Sequence, residues 1–231
     1  MQTIGLIGGI SWVSTVDYYK LINQGINDKL GELNFSQCLV YSFNYADIKK
    51  YTDANDWETI FQMIAKACNH LKSCGATGII LCANTMHFIA DRLEKETGLP
   101  IIHIATVTAA EIEKNGLKKV GLLGTKFTME LDFFKSKLSD KGIETIIPND
   151  EDREFVHLTI YDELGKGIVT NETKKRYLRI IEDLIANGAE GIVLGCTEIP
   201  LVVQQSDIEV PIFNTLLLHS KAAVEFQLNE K

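Results

Sequence analysis

Three short segments of this chain recur in the same order about half its length later. The echoes are apolar runs of the kind that form buried strands, and each begins or ends near a glycine or proline. In chain order they pair 5–8 with 121–124, 75–81 with 188–194, and 99–102 with 210–213. Offsets of 116, 113 and 111 residues indicate two similar halves. We expect the equivalent strand ends of the halves to face one another across a ligand cleft.

Composition excludes several function classes. The chain has 231 residues, 45% of them hydrophobic and 23% charged, which is ordinary for a globular protein with a sizeable core. Its formal net charge is −8, whereas a nucleic-acid-binding protein needs a basic face. The sequence shows no apolar run of membrane-spanning length and no signal segment at its start. We therefore expect no nucleic-acid or membrane partner and a cytoplasmic location.

Short β-rich apolar runs alternate with longer segments of helical period, the pattern of an α/β fold with mainly parallel sheets. Strands are expected at 3–7, 38–43, 78–82, 101–104, 119–124, 144–147, 191–195 and 210–213. Helices are expected at 15–30, 57–73, 87–97, 105–115, 129–141, 172–187 and 216–228. Together with the repeat, this pattern predicts two pseudo-symmetric, Rossmann-like three-layer domains. The first comprises residues 1–104 plus 210–231, and the second comprises residues 105–209.

Four loops that leave the carboxyl ends of these strands are candidates for ligand binding, because parallel sheets bind ligands at that edge. The loops are rich in Gly, Ser, Thr and Asn, and several open helices, where free backbone N–H groups favour a carboxylate. Short hydroxyl and amide side chains there bind a carboxylate, although they also serve as plain helix caps. The predicted substrate-binding residues are Asn84, Thr85, Thr125 and Thr197, with Thr52 a candidate for setting side-chain preference.

Cys196 stands apart from the other four cysteines because it follows a strand and precedes Thr197 and Glu198 at an expected helix start. Such a position lowers the pKa of a thiol, to between roughly 3.5 and 7.5, and would supply a thiolate near neutral pH. The alternative interpretation is a cysteine packed under the helix. Glu198 is predicted to orient Cys196 or its helix. When the middle echo is extended, Cys196 stands opposite Ala83 rather than opposite a second thiol.

Other chemistries find little support in the sequence. Gly5, Gly8 and Gly9 do not have the G-x-G-x-x-G spacing of a dinucleotide site, and no G-K-[ST] marks a phosphate-binding loop. The cysteines form no C-x-x-C pair and the histidines are scattered singly, so no disulfide framework and no metal site is expected. His87 is interpreted as a polar residue near a helix start rather than a base, because its counterpart in the second half is Pro200.

The chain resembles the aspartate/glutamate racemase superfamily, and in particular its broad-specificity aspartate/glutamate racemase branch. The resemblance runs nearly end to end and rests on four ordered motifs. These are IGLIGGISW at 4–12, LCANTMH at 81–87, LGTKFTME at 123–130 and GCTE at 195–198. The resemblance implies cofactor-independent racemisation of a small acidic amino acid between two pseudo-symmetric domains, in a protein that forms a homodimer.

In members of this superfamily, two residues on opposite faces of Cα exchange its proton, one removing it while the other delivers one. The second of these residues matches Cys196. The first, which is Cys in most members and can be Thr in the closest branch, falls on Ala83, which has no exchangeable proton. Cys82 lies one residue early, and on a strand that shift turns the side chain to the opposite face unless a bulge re-aims it.

The departure at Ala83 leaves several interpretations open, because losing one general acid or base typically costs about 10²–10⁴-fold in rate. The chain is a racemase with a weak or displaced second acid, a one-cysteine relative, or a deliberately altered sequence. The corresponding alternative functions are a one-cysteine decarboxylase or isomerase acting on a small dicarboxylate, and a carboxylate-binding protein without turnover.

Overall fold

The computed structural model describes residues 1–229 and divides the chain into two compact units. Unit 1 comprises Met1–His103 together with the chain from His219 onward, and unit 2 comprises Ile104–Leu218. The predicted α/β class with parallel sheets is confirmed, with one sheet in each unit. Among the described residues, no helix combines the length and the apolar character that crossing a bilayer requires.

Unit 1 is built on a three-stranded parallel sheet of order β2-β1-β3, with the fully buried strand β1 in the centre. Its strands are β1 (Ile4–Gly8), β2 (Cys38–Ser42) and β3 (Gly78–Leu81). Its helices are α1 (Trp12–Leu30), α2 (Tyr45–Asp53), α3 (Trp57–Ser73) and α4 (Ala90–Thr97), with a 3₁₀ helix at Asn84–Ile89. Helix α3 shows why these segments are helical, since its buried residues recur at three- and four-residue spacing and face the sheet.

Unit 2 is built on a four-stranded parallel sheet of order β5-β4-β6-β7. Its strands are β4 (Lys119–Gly124), β5 (Glu144–Ile146), β6 (Ile192–Gly195) and β7 (Ile212–Asn214). Its helices are α5 (Ile104–Lys114), α6 (Lys126–Glu130), α7 (Asp132–Ser139), α8 (Asp150–Asp162) and α9 (Asn171–Ala186). Three 3₁₀ turns cover Leu164–Lys166, Ile199–Leu201 and Gln205–Asp207, and the last helix, α10 (Thr215–Leu228), runs from unit 2 into unit 1.

The echoed segments occupy equivalent places in the two sheets. The first and second echoes form the neighbouring strands β1 and β3 in unit 1 and β4 and β6 in unit 2. The third echo adds one more parallel contact beside them, Ile79 with Ile101 in unit 1 and Ile192 with Ile212 in unit 2. The sequence repeat is therefore a repeat of strand order.

Two of the sequence-based predictions differ from the structure where this third echo ends. The strand expected at 101–104 is a single bridge at Ile101, because α5 begins at Ile104 and removes the residues that would extend it. The chain was expected to return to the first domain at residue 210. Instead β7 pairs with β6 in the second sheet, so the return to unit 1 comes at His219, within α10.

Candidate active site

The loop after β1 in unit 1 has a conformation that requires glycine. Gly9 has a φ of +80°, and a Cβ there would overlap the backbone oxygen and nitrogen of Phe43. The Thr15 hydroxyl ties the loop to α1 by accepting from the Gly9 N–H at 2.9 Å and donating to the Ser11 carbonyl at 2.9 Å. Ser11 in turn caps α1 by accepting from the Ser14 N–H. The loop is thus held rigidly at the sheet edge.

Residues 82–85, called here the β3 loop, follow β3 and carry four of the predicted site residues. The Cys82 N–H donates to the Ile7 carbonyl at 2.9 Å and continues the pairing with β1. Its side chain is only 1% exposed, and burial raises the pKa of its thiol strongly. An enclosed, protonated thiol is poorly suited to exchange protons with a ligand.

Ala83 is extended, with φ −152° and ψ 129°, is half-buried and packs against the apolar core of unit 1. Asn84 is buried at the start of the 3₁₀ helix, and Thr85 beside it is half-buried. The position that the resemblance predicts for the first acid/base therefore presents a methyl group. The polar side chains that follow Ala83 in this loop are those of Asn84 and Thr85.

In unit 2, Thr125 begins the loop after β4. Its hydroxyl caps α6 by accepting from the Thr128 N–H at 3.4 Å, and it lies 3.3 Å from the Thr128 hydroxyl. Gly124 pairs in register with Gly195 at the end of β6, and a Cβ on Gly195 would lie 2.8 Å from the Leu123 carbonyl oxygen. A Cβ on Gly124 would likewise lie 3.0 Å from the Gly195 carbonyl oxygen, so a side chain at either position would crowd the backbone of the neighbouring strand.

Residues 196–198, called here the β6 loop, hold a thiol against a carboxylate. The Cys196 thiol donates to Glu198 Oε2 at 2.9 Å, and the Thr197 hydroxyl donates to the same oxygen at 2.8 Å. Cys196 is partly buried and packs against the core of unit 2. Glu198 thus lies within hydrogen-bonding distance of Cys196, and its role in orienting the thiol stays a prediction.

The pKa of the Cys196 thiol is raised well above its ordinary value, first by burial and then by the negative charge and hydrogen bond of Glu198. The prediction of a lowered pKa was therefore wrong. No α-helix begins at Cys196, since the next element is the three-residue 3₁₀ turn Ile199–Leu201. The expected stabilisation by a helix dipole is replaced by a neighbouring carboxylate, which favours the protonated thiol.

Tyr177 on α9 is a buried neighbour of this pair that sequence reasoning missed. Its hydroxyl lies 3.0 Å from that of Thr159 on α8. Burial raises the pKa of the phenol, the hydrogen bond with Thr159 lowers it, and the nearby acidic side chains of Cys196, Glu163 and Glu198 raise it. The residue faces the core side of an amphipathic helix, so the sequence signals only that it is buried.

Thr52 lies near the end of α2, where its hydroxyl donates to the Ile48 carbonyl at 3.0 Å. This bond belongs to the helix itself and leaves the assignment of Thr52 to substrate preference a prediction. Across residues 1–229, no group of three or more His, Cys, Asp or Glu side chains is arranged to hold a metal ion. The described chemistry at the strand ends is thus that of thiol, carboxylate, hydroxyl and amide groups.

This fold and the β6 loop define an α/β protein with a cysteine at the end of a central strand. A sequence model of the Asp/Glu/Hydantoin racemase family matches residues 7–223. The chain belongs to the Asp/Glu/Hydantoin racemase family.

Relatives of known name agree with this assignment. A crystal structure from Yersinia pestis, assigned provisionally as an Asp/Glu racemase, is 44% identical with a TM-score of 0.94 and covers 99% of this chain and 100% of that one. The broad specificity amino-acid racemase RacX of Bacillus subtilis is 24% identical over 97% of this chain and 98% of its own. A glutamate racemase of Persephonella marina is 27% identical over 75% of this chain, and the match spans 65% of that relative's length.

Proposed function

We propose that this protein racemises a small acidic amino acid, aspartate or glutamate, by exchanging the Cα proton without a cofactor, with Cys196 as one acid/base. The observation that carries the proposal is the 2.9 Å hydrogen bond from the Cys196 thiol to Glu198 Oε2. Membership of the racemase family supports the reaction type. The resemblance also leads us to propose a cytoplasmic homodimer.

The thiol–carboxylate pair supports both directions of proton transfer. Glu198 accepts the thiol proton, which leaves a thiolate that removes the Cα proton and becomes a thiol again. In the reverse direction the thiol delivers its proton to the planar intermediate. Because burial and Glu198 raise the pKa of Cys196, the thiolate is a strong base once it forms. Removing a weakly acidic α-proton needs such a base.

We assign the α-carboxylate of the substrate to short polar groups at the strand ends. In unit 2 these are the hydroxyls of Thr125 and Thr197, and in unit 1 they are the side chains of Asn84 and Thr85. Hydroxyl and amide groups bind a carboxylate without adding a charge that would compete with Cys196 for its proton. Glu198 holds the thiol in place.

Ala83 makes the proposed reaction asymmetric. The alanine methyl has no proton to give, so delivery to the face opposite Cys196 falls to solvent in the space that a larger side chain would fill. We therefore expect exchange of the proton that faces Cys196 to be faster than inversion. The same single thiol favours a second candidate, a one-cysteine decarboxylase or isomerase acting on a small dicarboxylate.

The test is to incubate each enantiomer of aspartate and glutamate with the protein in D₂O. Deuteration at Cα is followed by NMR, and chirality by chromatography. Deuteration with inversion supports the racemase. Deuteration of one enantiomer without inversion indicates a single working base and favours the second candidate, whereas binding without any exchange would contradict both.

A further inference from the structure

His87 lies in the 3₁₀ helix Asn84–Ile89 of unit 1, and its side chain contacts the β3 loop. Its ring is 1% exposed, and its Nδ1 lies 3.2 Å from the carbonyl oxygen of Ala83 and 3.2 Å from that of Asn84. A carbonyl oxygen only accepts, so the ring hydrogen that makes these bonds is on Nδ1. One N–H thus bridges the carbonyls of two successive peptide groups, Ala83–Asn84 and Asn84–Thr85.

A second buried histidine packs against the His87 ring. His219, on the part of α10 that belongs to unit 1, packs against His87 with ring centroids 5.1 Å apart. Its Nε2 lies 2.6 Å from the Ile102 carbonyl, and its Nδ1 lies 2.8 Å from the Tyr18 hydroxyl. The Ile102 carbonyl therefore takes the His219 ring proton, and Tyr18 donates its own hydroxyl proton to Nδ1. These two hydrogen bonds fix the orientation of the His219 ring, against which His87 packs.

We propose that His87 is a positioning residue for the reaction, whose Nδ1–H holds the Ala83 and Asn84 carbonyls and thereby fixes the direction in which the Asn84 and Thr85 side chains point. This inference rests on the proposed function, in which Asn84 and Thr85 bind the substrate carboxylate. The Ala83 carbonyl also accepts from the Met86 N–H at 3.3 Å, and the His87 contact adds a side-chain restraint on the same stretch of backbone. A small misplacement of binding groups can cost up to about 100-fold in rate.

A positioning role fits His87 better than an acid/base role. Burial, together with the neighbouring His103, lowers the pKa of His87 to about 3, so the ring stays neutral at physiological pH. Its single hydrogen is already shared between two carbonyl oxygens. The ring therefore has no readily exchangeable proton for a ligand, and its contribution is geometric.

Three substitutions at His87 separate a positioning role from mere core packing. Asparagine places an amide N–H close to where Nδ1 lies, glutamine places it one bond further out, and leucine fills the space without a donor. His219→Leu is the matched control, since it removes an equally buried ring that does not contact the Ala83 or Asn84 carbonyl. Thermal unfolding of each variant shows how much stability each change removes.

We expect kcat to fall about 10- to 100-fold in His87→Leu. We expect His87→Asn to recover the wild-type kcat and His87→Gln not to recover it. His219→Leu should lose much less kcat than His87→Leu at similar stability. Amide hydrogen exchange of residues 84–86 is expected to quicken in His87→Leu and to be restored in His87→Asn. The proposal is overturned if His87→Leu keeps the wild-type kcat and the wild-type amide protection of residues 84–86. It is also overturned if the losses of kcat and of amide protection among the variants simply follow their losses of thermal stability.

Two measurements, ¹⁵N NMR of the His87 imidazole and amide hydrogen exchange of the loop, do not depend on turnover. ¹⁵N NMR of the imidazole should show hydrogen on Nδ1 of His87 from pH 5 to 8, and the loop amides should respond to the variants whether or not substrate reacts. If the wild-type protein exchanges no α-proton while these two results hold, the proposed function fails and the positioning contact stands. Hydrogen on Nε2 would overturn the contact itself.

Discussion

At the scale of the residue, the proposed reaction depends on a thiol kept protonated by its neighbours. A cysteine at a strand end is expected to ionise easily when a helix begins beside it. Here no α-helix begins at Cys196, and Glu198 accepts the thiol proton in a hydrogen bond. In the proposed reaction the pair acts as a base only after the proton moves to the carboxylate, so we propose an electrostatic effect of Glu198 as well as an orienting one.

Replacing Glu198 by glutamine should lower the pKa of Cys196. The substitution removes the negative charge and weakens the acceptor that stabilises the protonated thiol, and both contribute to the raised value. Thiolate absorbance in the ultraviolet, measured against pH, reports the change once the same titration in a Cys196→Ser background is subtracted. A midpoint that stays in place or moves to higher pH would contradict the electrostatic role of Glu198.

Replacing Ala83 by threonine or cysteine should raise the rate of inversion, by at least about 10-fold, because it supplies a proton donor at the position that the resemblance predicts for the first acid/base. Chiral chromatography of aspartate and glutamate measures the rate. Cys82→Ser is the matched control, since Cys82 is the adjacent enclosed thiol. If Ala83→Cys leaves the rate unchanged while Cys82→Ser abolishes it, the first acid/base has been placed on the wrong residue.

At the scale of the element, the loops at the strand ends are set by close backbone contacts. The loop after β1 passes so near the backbone of Phe43 that only glycine fits at position 9. The β3 loop is held from below by His87, and the β6 loop is held by its own hydrogen bonds to Glu198. A different kind of contact therefore fixes each loop: close backbone approach after β1, a buried imidazole at the β3 loop and a carboxylate at the β6 loop.

Gly9→Ala should destabilise unit 1 more than Gly98→Ala does. Both glycines have positive φ, which costs roughly 1–2 kcal/mol for a residue with a side chain, but a Cβ on Gly98 would meet only the end of Lys72 at 3.7 Å. At Gly9 the Cβ would overlap the backbone of Phe43. Urea unfolding of the two variants gives the difference, and equal losses would show that the loop moves aside at little cost.

The sequence predicts those elements whose determinants are local. The echoed glycines and apolar runs locate β1, β3, β4 and β6, and the GCTE motif brings Cys196 and Glu198 together because they are two residues apart. The pairing of β7 with β6 depends on contacts distant in sequence, so the point of return to unit 1 is misplaced. The pKa values of Cys196, Tyr177 and His87 all depend first on burial, which is set by contacts distant in sequence.

At the scale of the whole molecule, buried neutral histidines couple stability to pH. The pKa of His87 is lowered to about 3 and that of His219 is lowered well below its ordinary value, mainly by burial. In the unfolded chain both take up a proton near pH 6.5. Their contribution to stability is therefore complete above pH 6.5 and is lost as the pH falls toward the folded-state values.

The free energy of unfolding should consequently fall between pH 6.5 and 4.5 by up to about 1.4 kcal/mol per pH unit for each of these histidines. Urea unfolding at intervals of half a pH unit measures the slope. His87→Asn should reduce this slope by the contribution of one histidine, which is up to about 1.4 kcal/mol per pH unit. The reduction is expected whatever the substitution does to stability at neutral pH. An unchanged slope in that variant would mean that His87 is not held neutral in the folded protein.

The most direct test of the account is the rate of Cα deuteration of aspartate and glutamate in D₂O, compared by NMR between the wild-type protein and Cys196→Ser. The serine keeps the size and hydrogen-bonding ability of the side chain but removes the thiol. We predict measurable exchange by the wild type and a loss of about 10²–10⁴-fold or more in the variant. Exchange at the wild-type rate in Cys196→Ser would contradict the assignment of Cys196 as the acid/base.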